Sequence, residues 1–336
     1  MSTAFCVLRP DPDQVTPDFL FYAAQLDDFM ESVGALETGA SYPAVRDSDV
    51  LAQCIPVPPL AEQHEIAAVL NLARSSYIHE RQSESATANL KRAAMRALFA
   101  RGLRDEPQKE TEFGPVPESW DVLLLKECCS VQTGVAKGRR LADSEIAEVP
   151  YLRVANVQDG HLDLTEMKTI TIRKSELGRY RLQDGDVVLT EGGDFDKLGR
   201  GFIWRSQLDL CVHQNHVFAV RTMRSRLLPD FFAYQAQSHY GKAYFLKVAH
   251  KTTNLACINA TKLKAFPVLL PALAEQREIA SILDAIDRKI DLHRRKRAVL
   301  DELFRALLHK LMTGEIRVAD LDLSELAPKR RAEPAA

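Results

Sequence analysis

Several features are scarce or missing in this sequence, and each absence narrows the reading. No run of about eighteen apolar residues occurs, so no membrane-spanning helix is expected. The opening MSTAFCVLRPDPDQ has no basic stretch followed by an apolar core, so it does not read as a secretory signal. Cysteines number six, at positions 6, 54, 128, 129, 211 and 257, and no two of them form a CxxC pair. They read as buried, reduced thiols of a cytoplasmic protein rather than as a disulfide or zinc framework. No G-x(4)-G-K-[ST] loop is present, which excludes an ATP-driven motor of that type within the chain. No Gly-x-Ser-x-Gly elbow occurs either. The only Pro-Pro, Pro58-Pro59, is followed by Leu60, so the Asn-Pro-Pro-aromatic motif of adenine methyltransferases is missing.

Two local clusters suggest chemistry but fall short of it. Cys211, His213 and His216 lie in CVHQNH, yet a structural zinc needs four ligands and no second pair stands nearby, so alternating strand faces explain the pattern. Glu191, Asp194, Asp196 and Lys197 fall together in EGGDFDK, a spacing better suited to a solvated turn than to a nuclease centre. No catalytic residue, metal or cofactor is expected. The 44 basic and 46 acidic residues leave a net charge of −2, so no uniform positive coat exists and local basic patches must decide any nucleic-acid role.

What the sequence does contain is a repeat. PPLAEQHEIAAVL (58–70) and PALAEQREIASIL (271–283) are identical at nine of thirteen positions, 213 residues apart. Upstream, PDFLFYAAQ (17–25) falls on PDFFAYQAQ (229–237), and FCV (5–7) lies over FAV (218–220). Residues 5–104 thus read as a copy of 217–317, while 113–216 have no earlier counterpart. The reading is one complete unit preceded by the second half of another. The stretch 1–57, closing a domain whose sheet is absent, is expected to be the least protected part of the protein.

The repeated segments have helical periodicity. Ile279, Leu283, Ile286 and Ile290, then Leu300, Phe304, Leu307 and Leu311, follow 3–4 spacing, interrupted where His293 and Arg297 take apolar positions. The upstream copy has Ile66, Leu70, Ala73 and Tyr77, a polar middle of Glu80, Glu84 and Thr87, then Ala94 and Leu98. Each helix starts after a proline (Pro59, Pro271) and stops near a glycine (Gly102, Gly314). Some 40 residues make a helix of roughly 60 Å, and two such stripes bury each other most simply as an antiparallel coiled coil. Between them, RDEPQKETEFGPVPESW (104–120) reads as a proline-rich linker. Short strand-like runs at 149–164, 185–195, 199–206 and 211–221 and a helical patch at 229–247 follow.

In order along the chain, GPVPESW, YLRVANVQDG, L-x-x-GDVVLT-x-GG-x(4)-LGR, P-L-x-EQ-x-x-IA and LMTGEIRV make it resemble the specificity subunit of type I DNA restriction–modification systems, over essentially residues 1–318. The implied fold is α+β: mixed α/β target-recognition domains separated by two long helices packed as an antiparallel coiled coil. Residues 1–57 would then be the C-terminal half of a first recognition domain, 58–105 the first spacer helix and 106–112 a linker. Residues 113–268 would be a complete second recognition domain, 269–318 the second helix and 319–336 a disordered tail. The implied function is non-catalytic: sequence-specific DNA recognition and scaffolding, directing adenine methylation and cleavage by partner subunits. Those partners are double-stranded DNA, modification (methyltransferase) subunits, a restriction (ATP-dependent translocase/endonuclease) subunit and, as a further one, a complementary half-domain chain.

Base reading needs Arg or Lys for guanine and Asn or Gln for adenine, on loops that reach a groove. Three loops of the 113–268 region qualify: Lys137, Arg139 and Arg140 in KGRR; Lys197 and Arg200 in GGDFDKLGR; Lys251, Thr252, Thr253 and Asn254 in HKTTN. The densest basic run, RKIDLHRRKR (288–297), reads as a phosphate-facing belt, a solvated face or a subunit contact. The Glu-Gln pairs opening both helices, Glu62 with Gln63 and Glu275 with Gln276, read as subunit-docking residues or as helix-start carboxylates favoured by the macrodipole. Two alternatives stay open: a partial or inactive remnant reading one half-site, and a coiled-coil interaction protein with no DNA role.

Overall fold

Two helices dominate, Leu60–Arg101 of 42 residues and Leu273–Met312 of 40. Each is followed by a glycine in the left-handed region, Gly102 at φ +65° and Gly314 at φ +75°, where a side chain would be strained. The structure is a computed structural model that describes residues 5–39, 43–139, 145–193, 195–251 and 256–323. The chain divides into two units, Met1–Thr87 with Lys289–Ala336, and Ala88–Arg288. Each long helix contributes residues to both units.

In the first unit, the helix Pro17–Ala23 has proline at its first turn and Thr16 as its cap, the Thr16 hydroxyl accepting from Phe19 N–H at 3.3 Å. Its Phe19, Tyr22 and Ala23 form a core with Ile66, Ala67, Val69, Leu70 and Ala73 of the first long helix and Leu307, Leu308, Leu311 and Met312 of the second. The start of one long helix thus meets the end of the other, an antiparallel pairing. The helices Asp27–Gly34 and Asp47–Leu51 bury no residue. Val318 packs against the core, as do Leu321 and Leu323 of the segment expected as a tail; residues 324–336 lie outside the described residues.

The polar interruption of the seam is a charge cluster. His293 Nδ1 stands 2.5 Å from Glu80 Oε2, Arg294 Nε 2.9 Å from Glu84 Oε1, and Arg297 Nη1 2.9 Å from Glu84 Oε2. Lys296 Nζ is 3.7 Å from Glu80 Oε1. Burial raises the Glu80 carboxyl, but the His293 hydrogen bond and the Lys296 charge outweigh it and hold the group below the ordinary range. The ion pairs of Glu80 and Glu84 are made across the seam to the other helix, in one alignment, which suits setting register better than adding stability.

The second unit is built on a four-stranded antiparallel sheet, ordered Gly201–Ile203, Val187–Thr190, Val217–Thr222, Cys129–Thr133. Every residue of Val187–Thr190 is buried, as its unbroken apolar run requires. A three-stranded sheet joins Val212–His213, Ile146–Leu152 and Lys168–Arg173. Just before Val187–Thr190, fully buried Asp186 accepts from Arg221 of the neighbouring strand: Arg221 Nε and Nη2 donate to its two oxygens, both at 2.8 Å. Phe231, Phe232, Phe245, Phe266 and Trp120 fill the core together with Met95, Phe99, Ile279, Ala280 and Leu283 of the long helices. Phe99 meets Trp120 edge to face, with ring centres 6.5 Å apart.

The proline-rich stretch is not a linker. Gln108–Thr111 pairs with Gly114–Pro117 as a hairpin, turned at Gly114 (φ +117°). Thr111 Oγ1 donates to Gly114 O at 2.6 Å, and Phe113 packs on Tyr240 and Tyr244. Both strands of a two-stranded sheet are edges, so Pro115 and Pro117 fit without breaking a ladder.

Candidate nucleic-acid interface

The repeated Glu-Gln motif divides into an internal residue and an outward one. Gln63 is fully buried: its Oε1 accepts from Thr16 N–H at 2.8 Å, and its Nε2 donates to Gln14 O and Pro58 O, each at 2.8 Å. Gln276 does the same: Oε1 accepts from Leu228 N–H, and Nε2 donates to Arg226 O and Pro271 O, all at 2.9 Å. In both units this glutamine latches the chain entering a Pro-Asp-Phe helix to the start of a long helix. Neither amide is free to contact a partner. Glu62 is half-buried, and Glu275 Oε1 accepts from Leu103 N–H at 3.2 Å.

Strand register gathers the three basic loops. Val217–Thr222 runs antiparallel to both neighbours, pairing Val217 with Thr190 and Phe218 with Thr133. The chain after Thr133, the chain after Thr190 and the chain before Val217 therefore meet at one end of the sheet. After Thr133, Gly134 passes so close to His213 that a Cβ would lie 2.0 Å from its carbonyl oxygen. Val135 then bridges to Gln214, and Asn215 N–H donates to Val135 O at 2.9 Å. Lys137 follows, its Nζ 5.5 Å over the Tyr151 ring. Arg139 Nη2 lies 2.8 and 3.0 Å from the Glu176 oxygens, a bond that holds the Glu176 carboxyl below its ordinary range.

After Thr190, Gly192 pairs with Cys257 and Gly193 with Ala256, and Lys251 pairs with Ala256 from the far side. The second and third loops are thereby strands of one small sheet. Gly192 permits it, because a Cβ there would stand 2.4 Å from Ala256 O. The buried Thr190 hydroxyl pins the intervening turn by donating to Lys197 O at 3.0 Å. Lys251 is exposed, and Arg200 is half-buried with its Nε unpartnered among the described residues. Arg140, Thr252, Thr253 and Asn254 lie outside the described residues.

The other sequence-marked groups resolve differently. In the basic run, Arg288 pairs with Asp284 in the second unit, and Arg295 with Asp291 and Arg294 and Arg297 with Glu84 in the first, so much of its charge is already compensated. Cys211 and His213 are buried: burial pushes the Cys211 thiol up to about 12 and pushes the His213 imidazole down. His213 Nδ1 sits 2.7 Å from Val217 O, whereas exposed His216 turns to Glu191, Nδ1 to Oε2 at 2.6 Å. Sequence reasoning examined QNH only as part of a metal pattern. It missed that this turn occupies the loop-bearing end of the sheet; the polar triplet Gln214-Asn215-His216 interrupting the strand-like run 211–221 was the available signal.

The chain matches the family described as type I restriction modification DNA specificity domain over residues 1–84 and 117–302. It is 27% identical over 317 residues to the type I restriction enzyme MjaVIII specificity subunit of Methanocaldococcus jannaschii, covering 90% of this chain and 71% of that one. It is 26% identical over 335 residues to the EcoKI specificity subunit of Escherichia coli, covering 93% and 68%. A further M. jannaschii relative is 26% identical over 211 residues, of which this chain spans about half, 49%. Among solved structures, the S subunit of a type I restriction–modification system from M. genitalium shares the fold at a TM-score of 0.54 and 16% identity, covering 90% of this chain and 74% of that one. A chain from a type I R-M system solved for its complex assembly and conformational transition gives a TM-score of 0.56 at 23% identity, covering 94% and 75%.

Proposed function

Since the chain belongs to the type I restriction modification DNA specificity family, we propose that its second unit recognises duplex DNA through the loop-bearing end of the four-stranded sheet. The observation carrying this reading is the convergence, by register, of the Lys137 loop, the Glu191–Arg200 loop and the Lys251 strand. Lys137 and Lys251 supply phosphate contacts, which position without specifying. Arg139 reaches a phosphate only by leaving Glu176. The chain is a recognition and scaffold subunit that does no chemistry itself. Methylation falls to modification subunits and cleavage to an ATP-dependent restriction subunit. Because Gln63 and Gln276 are internal, docking by the repeated motif rests on Glu62 and Glu275.

The test is a salt titration of duplex binding by the full chain. Each phosphate contact contributes about 0.9 to the slope of log K against log salt. Lys137→Ala with Lys251→Ala should therefore flatten the slope by roughly 1.8, with the melting temperature unchanged. An unchanged slope, or no salt-dependent binding by the wild-type chain, would leave the reading without support and favour an interaction protein with no DNA role.

A further inference from the structure

We propose that Asn215 reads a base, and that Glu191 and His216 position its side-chain amide against the edge of an adenine in duplex DNA. The inference rests on the reading of this sheet end as the DNA-facing surface. Backbone bonds hold the turn from several sides. Gln214 N–H donates to Leu152 O, Asn215 N–H to Val135 O and Glu191 N–H to His216 O, each at 2.9 Å, and Val217 N–H to Gln214 O at 2.8 Å. The turn thus lies between the Lys137 loop and the strand that leads to Lys251.

The side chains form a row. Glu191 Oε2 lies 2.6 Å from His216 Nδ1, and His216 Nε2 lies 3.4 Å from Asn215 Nδ2. A carboxylate only accepts, so in the neutral imidazole Nδ1 carries the hydrogen and Nε2 is left as an acceptor. That acceptor takes one Asn215 amide hydrogen and so decides which end of the amide is nitrogen. The second amide hydrogen and the carbonyl oxygen have no partner among the described residues. An adjacent donor and acceptor are what adenine N7 and N6–H2 require in the major groove. Without the row, the amide could present either end and would discriminate poorly. Glu191 and His216 are positioning residues, and Asn215 is the contact.

A well-made bidentate amide–adenine pair discriminates by about 1–3 kcal/mol, or roughly 5- to 150-fold. The full-length chain is incubated with a random-sequence duplex pool at moderate salt, and bound sequences are counted. Wild type should enrich adenine at one position. Asn215→Ala should lose that enrichment while keeping its melting temperature and its salt slope. Asn215→Asp, which only accepts, should move the preference at that position towards cytosine, whose N4 donates. His216→Ala should weaken the adenine preference without changing the salt slope, a result a purely structural histidine would not produce. If Asn215→Ala selects the same sequences as wild type, or wild type binds with no base preference, the inference is overturned while DNA recognition stands. If wild type shows no salt-dependent binding, the underlying reading fails with it.

Discussion

Phe218 and Phe5 occupy matching positions in the repeat, yet Phe218 is 1% exposed and Phe5 is 76% exposed. Phe218 lies in the strand between Val187–Thr190 and Cys129–Thr133; Phe5 lies outside any helix or strand. The glutamine latch behaves oppositely and forms in both units with the same three bonds. The latch needs only groups inside its own repeat, whereas burial of the phenylalanine needs strands from outside it. In these two cases, the interaction contained within the repeat forms in both copies, and the one that needs strands from outside it forms only in the second.

The strongest way to break this comparison is the phenylalanine pair. Phe218→Ala should cost about 3–5 kcal/mol, the usual range for an aromatic removed from a packed core. Phe5→Ala should stay within about 0.5 kcal/mol, as exposed substitutions do. Denaturant unfolding of both variants measures the difference; equal costs would show that Phe5 is covered in solution.

The latch comes next. Gln63→Glu and Gln276→Glu each keep the size but remove the donor to two carbonyls. Each should cost about 1–3 kcal/mol, since buried acceptors are left unpaired. The similarity of the two costs is the sharper point: one large and one negligible loss would mean that the two latches are not equivalent.

The smallest effect is pH-dependent and belongs to the first unit. The Glu80 carboxyl is held below its ordinary value, near 4.3 for a free glutamate, because the His293 bond and the Lys296 charge outweigh burial. A carboxyl depressed in the folded state contributes stability above its unfolded pKa, and that contribution fades as pH falls through the folded value. Glu80→Gln should therefore lower the melting temperature at pH 7 and flatten its decline on the acid side. A variant that melts in parallel with wild type from pH 7 to below 4 would remove Glu80 from the account.

The sequence alone was enough for features that arise within a few neighbouring residues. Three-to-four spacing, a preceding proline and a following glycine placed the helices Leu60–Arg101 and Leu273–Met312, because periodicity and backbone restriction act locally. The polar seam was legible as an interruption in both copies. That its Glu80 and Glu84 meet His293, Arg294 and Arg297 follows only from laying one helix against the other. The 104–120 stretch looked like a linker because its prolines carry no sign that Phe113 will pack on Tyr240 and Tyr244. The repeated glutamine was conspicuous, but its role was not, since Gln63 and Gln276 bond backbone groups 47 to 50 residues upstream. For the candidate site, residue types nominated Lys137, Lys197 and Lys251, while strand register brought their loops to one end and set Asn215, His216 and Glu191 among them. Register is decided by hydrogen bonds between segments distant in the chain, and only the folded sheet contains them.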